Sequence, residues 1–287
     1  MSTSNQSQLN QWLSKDLAYT YHCSPFIKRL FEADKELEQS SLQHMSHPFS
    51  RQEMESWLDD RKISDEISLN KSLRKLRQHV IANIILRDLN KLADLNEILK
   101  SVTELAEITL LHAHQFHFNF LKSMHGSPIG LNGKEQQLSI VAMGKLGGAE
   151  LNVSSDIDLI FAHDYPTNDD SEYKTQVLNF AKKIIFALNH NNENGFVFRV
   201  DTRLRPHGSE GVQVPSLNFL EDYYLNYGRE WERYAWIKQR VIIGNQKKID
   251  TIIRPFVYRK YLDYKTIAEI RNLKKLIKKD LNDKNKG

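Results

Sequence analysis

One cysteine, Cys23, stands in 287 residues, so the chain can close no internal disulfide. That scarcity suits a reducing compartment. No apolar run approaches the roughly 20 residues needed to cross a bilayer, so no membrane partner is expected. The opening "MSTSNQSQLNQWLSKDL" lacks the basic and apolar regions of a secretion signal. A cytoplasmic protein is the expectation. Eleven histidines show no zinc-ligand spacing with cysteine, so no structural zinc site is expected. Neither the Walker A pattern nor the dinucleotide fingerprint fits "GKLGGAELN", so the P-loop and Rossmann readings fall away. There is no internal repeat and no low-complexity segment. What remains is a chain 40% hydrophobic with a net charge of +4, large enough for one large domain or two modest ones.

Residues 1–130 read as a helical region. Leu69, Leu73, Leu76, Val80 and Ile84 recur at steps of three and four and paint one stripe on a helix. A second helix is expected to start at Ser101, with Glu104 completing a capping box. It carries His112, His114 and His117 among phenylalanines, a pattern that indicates aromatic packing more simply than a metal or haem pocket. "GSPIGLNGKEQQ" breaks the helical period and marks a boundary.

Residues 131–215 form the second region. "LSIVAMG", "DIDLIFAH" and "GFVFRVDTRLR" read as strands, and "SEYKTQVLNFAKKIIFALNH" between the last two as a helix with Val177, Phe180, Ile184, Ile185 and Leu188 inward. Residues 216–287 return to helix through "FLEDYYLNYGREWERYAWIKQRVII". Tyr223, Tyr224, Tyr227, Trp231 and Tyr234 have helical spacing and are expected to pack, so no nucleic-acid partner is expected. Lys274, Lys275, Lys278 and Lys279 read as a solvated helix face. The fold class is α+β, mainly helical, with a small mixed sheet.

The chemistry concentrates in "AMGKLGGAELNVSSDIDLIF". On a strand, Asp156 and Asp158 share a face while Ile157, Leu159 and Phe161 turn to the core. The third strand repeats the alternation, with Phe198, Val200 and Leu204 on one side and Arg199, Asp201, Arg203 and Arg205 on the other. Two like charges about 4 Å apart repel by roughly 4 kcal/mol at an effective dielectric of 20, so a cation must compensate. Carboxylate-only ligation favours Mg²⁺ or Mn²⁺, and such ions serve in-line displacement at phosphorus. Gly147 and Gly148 would let backbone amides approach a phosphate, Ser154 and Ser155 would add hydroxyl donors, Arg203 and Arg205 could clamp it, and Lys145 could reach it as a point charge. The simpler alternative pairs Arg203 and Arg205 with the aspartates and needs no metal.

Gly-Gly, Asp-x-Asp and a third aspartate on a later strand resemble the polymerase-beta-like nucleotidyltransferase superfamily. "GKLGGAELNVSSDIDLIF" with "FRVDTRLRPHGSEG" is similar, within it, to the glutamine synthetase adenylyltransferase/adenylyl-removing family. The likeness extends more loosely into the N-terminal helices and through "RPFVYRKYLD". It implies a nucleotidyltransferase core at 131–215, with Asp156, Asp158 and Asp201 as catalytic carboxylates holding Mg²⁺ or Mn²⁺. It also implies adenylylated glutamine synthetase, a PII signal protein, ADP or ATP, and phosphate as partners. Family members carry two such domains. The long helical segment before the strands and "EDYYLNYGREWERYAWIKQRVI" are similar to the domain that removes AMP from tyrosine by phosphorolysis. The resemblance leaves three functional readings: AMP removal, AMP transfer from ATP, and an incomplete regulatory fragment. It also implies that the chain, ending at "LNDKNKG", is a truncated copy.

Overall fold

The computed structural model describes residues 17–129, 133, 135–136, 138–164, 171–258 and 275. The chain divides into two compact units, Met1–Leu121 with Ala149–Ile157 and Lys182–Val200, and Lys122–Gly148 with Asp158–Ala181 and Asp201–Gly287. The fold is mainly helical with a small mixed sheet, as the composition and periods lead one to expect.

The first unit is built on helices with explicit caps. Helix α1 (Pro25–Ala33) begins with proline in its first turn behind Ser24, whose hydroxyl accepts from the Ile27 amide. Asp34 caps α2 (Lys35–Gln43). Ser50 and Glu53 form a reciprocal capping box at α3 (Arg51–Asp59), and Asp65 and Ser68 another at α4 (Glu66–Leu89). The predicted stripe of α4 is buried throughout, from Leu69 to Ile84. Burial goes further than the stripe, because Arg74, Asn83 and Arg87 are also inside. Arg74 is fully buried and donates to the carbonyls of Gly195 (2.8 Å), Asn70 (2.9 Å), Ala187 (3.0 Å) and His190. Arg87 makes two ion-paired hydrogen bonds to Glu97, at 2.7 and 2.9 Å.

Helix α5 (Leu95–His125) starts six residues before the expected Ser101. Asp94 is its cap, its carboxylate accepting from the Glu97 amide at 2.8 Å, and Ser101 lies buried within the helix. Both "DLNE" and "SVTE" satisfy the capping-box pattern; Asp94 is the cap used, and the Glu97 carboxylate pairs with Arg87. His114 stacks on Phe118 with centroids 5.6 Å apart, and His117 meets Phe116 edge-on at 5.2 Å, the packing that their spacing indicates.

The second unit carries most of the four-stranded sheet, ordered β3-β2-β1-β4. Strand β1 (Ser139–Ala142) is buried along its length and pairs antiparallel with β2 (Ile157–Ala162), Val141 opposite Ile160. The unit boundary falls after Ile157 in β2 and after Val200 in β3 (Val200–Asp201). A single helical turn, α6 (Gly144–Gly147), follows β1, and α7 (Ser171–Asn189) connects β2 to β3. Helices α8 (Leu217–Asn226), α9 (Glu230–Ile237) and α10 (Gln246–Val257) pack Leu220, Tyr224, Trp236, Ile253 and Phe256 against Val141 and Ile160.

Three expectations are corrected. "RVII" is not helix but strand β4 (Arg240–Ile243), antiparallel to β1; it is four residues long and follows an amphipathic helix, so its period is masked. The third strand stops at Asp201, because the Arg203 amide turns back to donate to the Asp201 carboxylate at 2.8 Å. Tyr223 and Tyr224 pack as expected, whereas Tyr227 and Trp231 are exposed. Lys275 is exposed, and Lys274, Lys278 and Lys279 lie outside the described residues. No described helix is long and apolar enough to cross a membrane.

Burial pushes His114 and His117 down to about 4. A histidine held neutral when folded but protonating near 6.5 when unfolded gives full stabilisation above that value and loses it as the pH falls toward 4. On the order of 3 kcal/mol per histidine is at stake. Urea unfolding midpoints are therefore expected to fall steeply between about pH 6.5 and 4. A His114→Gln/His117→Gln chain should show a flatter profile; an unchanged slope would contradict the assignment.

Candidate active site

In the second unit the decisive contact is between Asp158 and Gly144. Asp158 is the second residue of β2, half-buried between the buried Ile157 and Leu159, and its carbonyl accepts from the Met143 amide at 2.9 Å. Gly144 has φ +55°, and a Cβ built on it would lie 2.7 Å from Asp158 Oδ2. The carboxylate thus occupies the space that any other residue at 144 would fill. Sequence reasoning passed over Gly144 because Gly147 and Gly148, side by side, looked like the phosphate turn.

Gly147 is tightly packed in that turn. A Cβ on Gly147 would stand 1.9 Å from the Lys238 carbonyl oxygen and 2.7 Å from that of Ala142. Its amide donates to Met143 O at 3.0 Å and that of Gly148 to Gly144 O at 3.1 Å. Both amides donate within the turn. Arg240 on β4 donates to the Leu146 carbonyl at 2.8 Å and to that of Gly147 at 3.3 Å. Lys145 is exposed on the same turn.

Asp201 ends β3 and is gripped by Arg203, whose Nε lies 3.0 and 2.9 Å from the two carboxylate oxygens and whose Nη2 is 2.5 Å from Oδ2. The guanidinium hydrogen bonds hold the Asp201 carboxyl below its ordinary range against the opposing effect of burial. Arg205 is buried and donates to Thr202 O (2.8 Å), Thr202 Oγ1 (3.0 Å), Ser209 O (3.1 Å) and Gly211 O (3.2 Å). In this arrangement it braces the loop after β3.

In the first unit, Asp156 is exposed and paired with Arg199 Nε at 2.5 Å, while Arg199 Nη2 donates to Ser154 O at 2.8 Å. The hydroxyls of Ser154 and Ser155 both turn to Asn152 Oδ1, at 3.4 and 2.6 Å. Arg199, a strand neighbour of Asp201 in sequence, was read as facing the site but given no role. Its ion pair is the clearest contact of Asp156.

The donor set suits a hard divalent cation. Within the second unit Asp158 and Asp201 offer only carboxylate oxygens, the chemistry that selects Mg²⁺ or Mn²⁺ over zinc. The side chains of Arg199 and Arg203 are 56% and 76% exposed, so the charge pairs they form with Asp156 and Asp201 are weakly held and exchangeable.

A family profile described as glutamate-ammonia ligase adenylyltransferase matches residues 14–252. The chain belongs to that family. Among relatives of the glutamate-ammonia ligase adenylyltransferase family, a protein from Nitrosomonas eutropha is 43% identical over 273 residues, covering 90% of this chain and 29% of that protein. One from Chromobacterium violaceum is 42% identical over 278 residues, 93% of this chain and 30% of that protein. One from Aromatoleum aromaticum is 40% identical over 276 residues, 94% and 29%. All three are named bifunctional glutamine synthetase adenylyltransferase/adenylyl-removing enzyme. The chain therefore spans about 30% of the length of the relatives it matches.

The two glycines are expected to respond differently to alanine. Gly144→Ala pushes the Asp158 carboxylate aside and strains the backbone by about 1–3 kcal/mol. Mn²⁺ affinity, read by calorimetry, should drop tenfold or more while the near-ultraviolet circular dichroism stays native. Gly147→Ala sets Cβ against backbone that cannot swing away, and urea unfolding should show the larger loss of stability. The reverse order would sink both roles.

Proposed function

We propose that this chain carries a nucleotidyl-transfer site acting on glutamine synthetase, and that it removes AMP from an adenylylated tyrosine by phosphorolysis. The observation that carries the reading is the Asp158 carboxylate seated over Gly144, within an Asp-x-Asp pair, in a chain of this family. The names of the relatives support glutamine synthetase as the target protein and adenylyl chemistry as the reaction. A PII signal protein as a regulator rests on the resemblance of the motifs.

In this reading Asp156, Asp158 and Asp201 hold Mg²⁺ or Mn²⁺, and Lys145 and the exposed arginines meet phosphate oxygens. The cation, when bound, neutralises charge on the phosphate oxygens and favours displacement at phosphorus. The chain's own residues do the rest. Asp158 is fixed by its strand and by the Met143 amide, so the carboxylate is aimed before any ligand arrives. Arg199 and Arg203 neutralise Asp156 and Asp201 in the absence of a cation and are flexible enough to turn to phosphate. Arg205 keeps the 202–211 loop in place. An oxygen of hydrogenphosphate attacks the adenylyl phosphorus, the bond from phosphorus to the tyrosine oxygen breaks, and the hydrogenphosphate proton ends on tyrosine. ADP and the unmodified tyrosine are the products. The nucleophile is already an anion, so positioning and charge neutralisation matter more than a strong base.

The test is to incubate the chain with adenylylated glutamine synthetase and Mg²⁺, with and without phosphate, and to assay ADP. Phosphate-dependent ADP is the expected result. Pyrophosphate release from ATP with unmodified glutamine synthetase would reassign the direction to AMP transfer. Neither product from a folded chain would mean that the reaction needs more of the protein than these residues. Asp158→Asn is expected to lower turnover by at least about 10²–10³-fold with the fold retained.

A further inference from the structure

We propose that His44, His47 and Glu53, in the helical first unit, form a binding site for a transition-metal dication, with zinc as the ion their chemistry favours. One ligand atom from each residue lies within 4.8 Å of the other two. Glu53 Oε1 stands 3.6 Å from His44 Nε2 and 3.3 Å from His47 Nε2. Ligand atoms about 2.0–2.1 Å from a tetrahedral ion stand about 3.3–3.4 Å from each other, so the two distances to Glu53 fall within about 0.3 Å of the edges of such a shell, and the two ring nitrogens lie within 4.8 Å of each other. Two imidazoles and one carboxylate are the donor types of three-ligand zinc sites, which keep a fourth position for water. Mg²⁺ and Ca²⁺ prefer all-oxygen surroundings and would not select this set.

The group is held in place by the fold. His44 is the C-cap of α2, and Glu53 is the third residue of α3, joined by a short loop that contains His47. Glu53 Oε2 accepts from the Ser50 amide at 2.7 Å and the Ser50 hydroxyl at 2.5 Å, which leaves Oε1 directed at the two rings. The buried Asn83 of α4 secures the loop from beneath, donating to the carbonyls of His44 (3.0 Å) and His47 (3.2 Å) and accepting from the Phe49 amide at 3.3 Å. Arg87 adds a hydrogen bond to Met45 O at 2.8 Å.

The second ring nitrogens are engaged as metal-bound histidines require. The His44 ring hydrogen-bonds to the Pro48 backbone, and His47 Nδ1 is 3.0 Å from Ser46 Oγ. His44 Nε2 is shielded from solvent with no hydrogen-bond partner, and at 3.6 Å from Glu53 it is beyond hydrogen-bond reach. A bound ion supplies the partner that this atom lacks. The signature His-x2-His-x5-Glu escaped the sequence reading because that reading sought cysteine alongside histidine.

The experiment uses the full chain, stripped with chelator and titrated with Zn²⁺ alone in millimolar Mg²⁺, which keeps the carboxylate site out of the measurement. One equivalent is expected to bind with micromolar or tighter affinity, and Co²⁺ in its place should give the visible absorption of a four-coordinate ion. Zn²⁺ should also raise the melting temperature. His47→Ala, at an exposed position, and Glu53→Gln, which can still cap α3, should each weaken binding tenfold or more and abolish the thermal shift while melting like the parent without zinc. Absence of saturable binding would overturn the proposal. So would binding undiminished in both variants, which would place the ion on other histidines.

Discussion

A buried guanidinium that donates to four backbone carbonyls holds the first unit in register. Arg74 presents its planar fork to carbonyls at the C-terminal end of α7 and in the turn after it, where backbone oxygens carry partial negative charge. A lysine could offer only a point charge to acceptors spread over Asn70, Ala187, His190 and Gly195. The segment fixed in this way is the one that leads to β3, for the amides of Val197 and Phe198 both donate to Leu188 O. The position of the segment up to Val200 therefore begins with an arginine on a different helix, far away in sequence.

This dependence explains what the sequence could and could not disclose. Periods that a single element satisfies by itself were legible: the apolar stripe of α4, the inward face of α7, and the alternation of Ile157 and Leu159 with the aspartates beside them. Choices settled by a distant partner were not. Asp94 and Ser101 are equivalent caps in sequence, and Asp94 is the one whose carboxylate accepts from the first turn. Strand β4 has too few residues to show a period, and only its pairing with β1 makes it a strand. The aspartates at the site stood out because three carboxylates in that pattern serve no packing purpose. The glycine beside them did not, since the need for Gly144 comes from a side chain fourteen residues later, and the conspicuous Gly147 answers to a backbone ninety-one residues later.

Charge in the candidate site is arranged as replaceable pairs around one fixed group. Arg199 and Arg203 are exposed, and such pairs contribute little to stability, typically about 0–1 kcal/mol. Arg205 is the contrast: with its donors on loop carbonyls and buried, it belongs to the scaffold. Arginines close together in sequence thus divide between a mobile and a structural task, and burial, which composition does not reveal, separates them.

The seating of Gly147 gives the second unit a gear. Lys238 sits directly on its α-carbon, and Arg240 holds the carbonyls of Leu146 and Gly147, so the turn beside Asp158 is meshed with the segment joining α9 to β4. With no side chain between them to take up slack, neither tooth can advance alone. Trp231 and Ile237 are exposed on α9, the helix that leads into that segment.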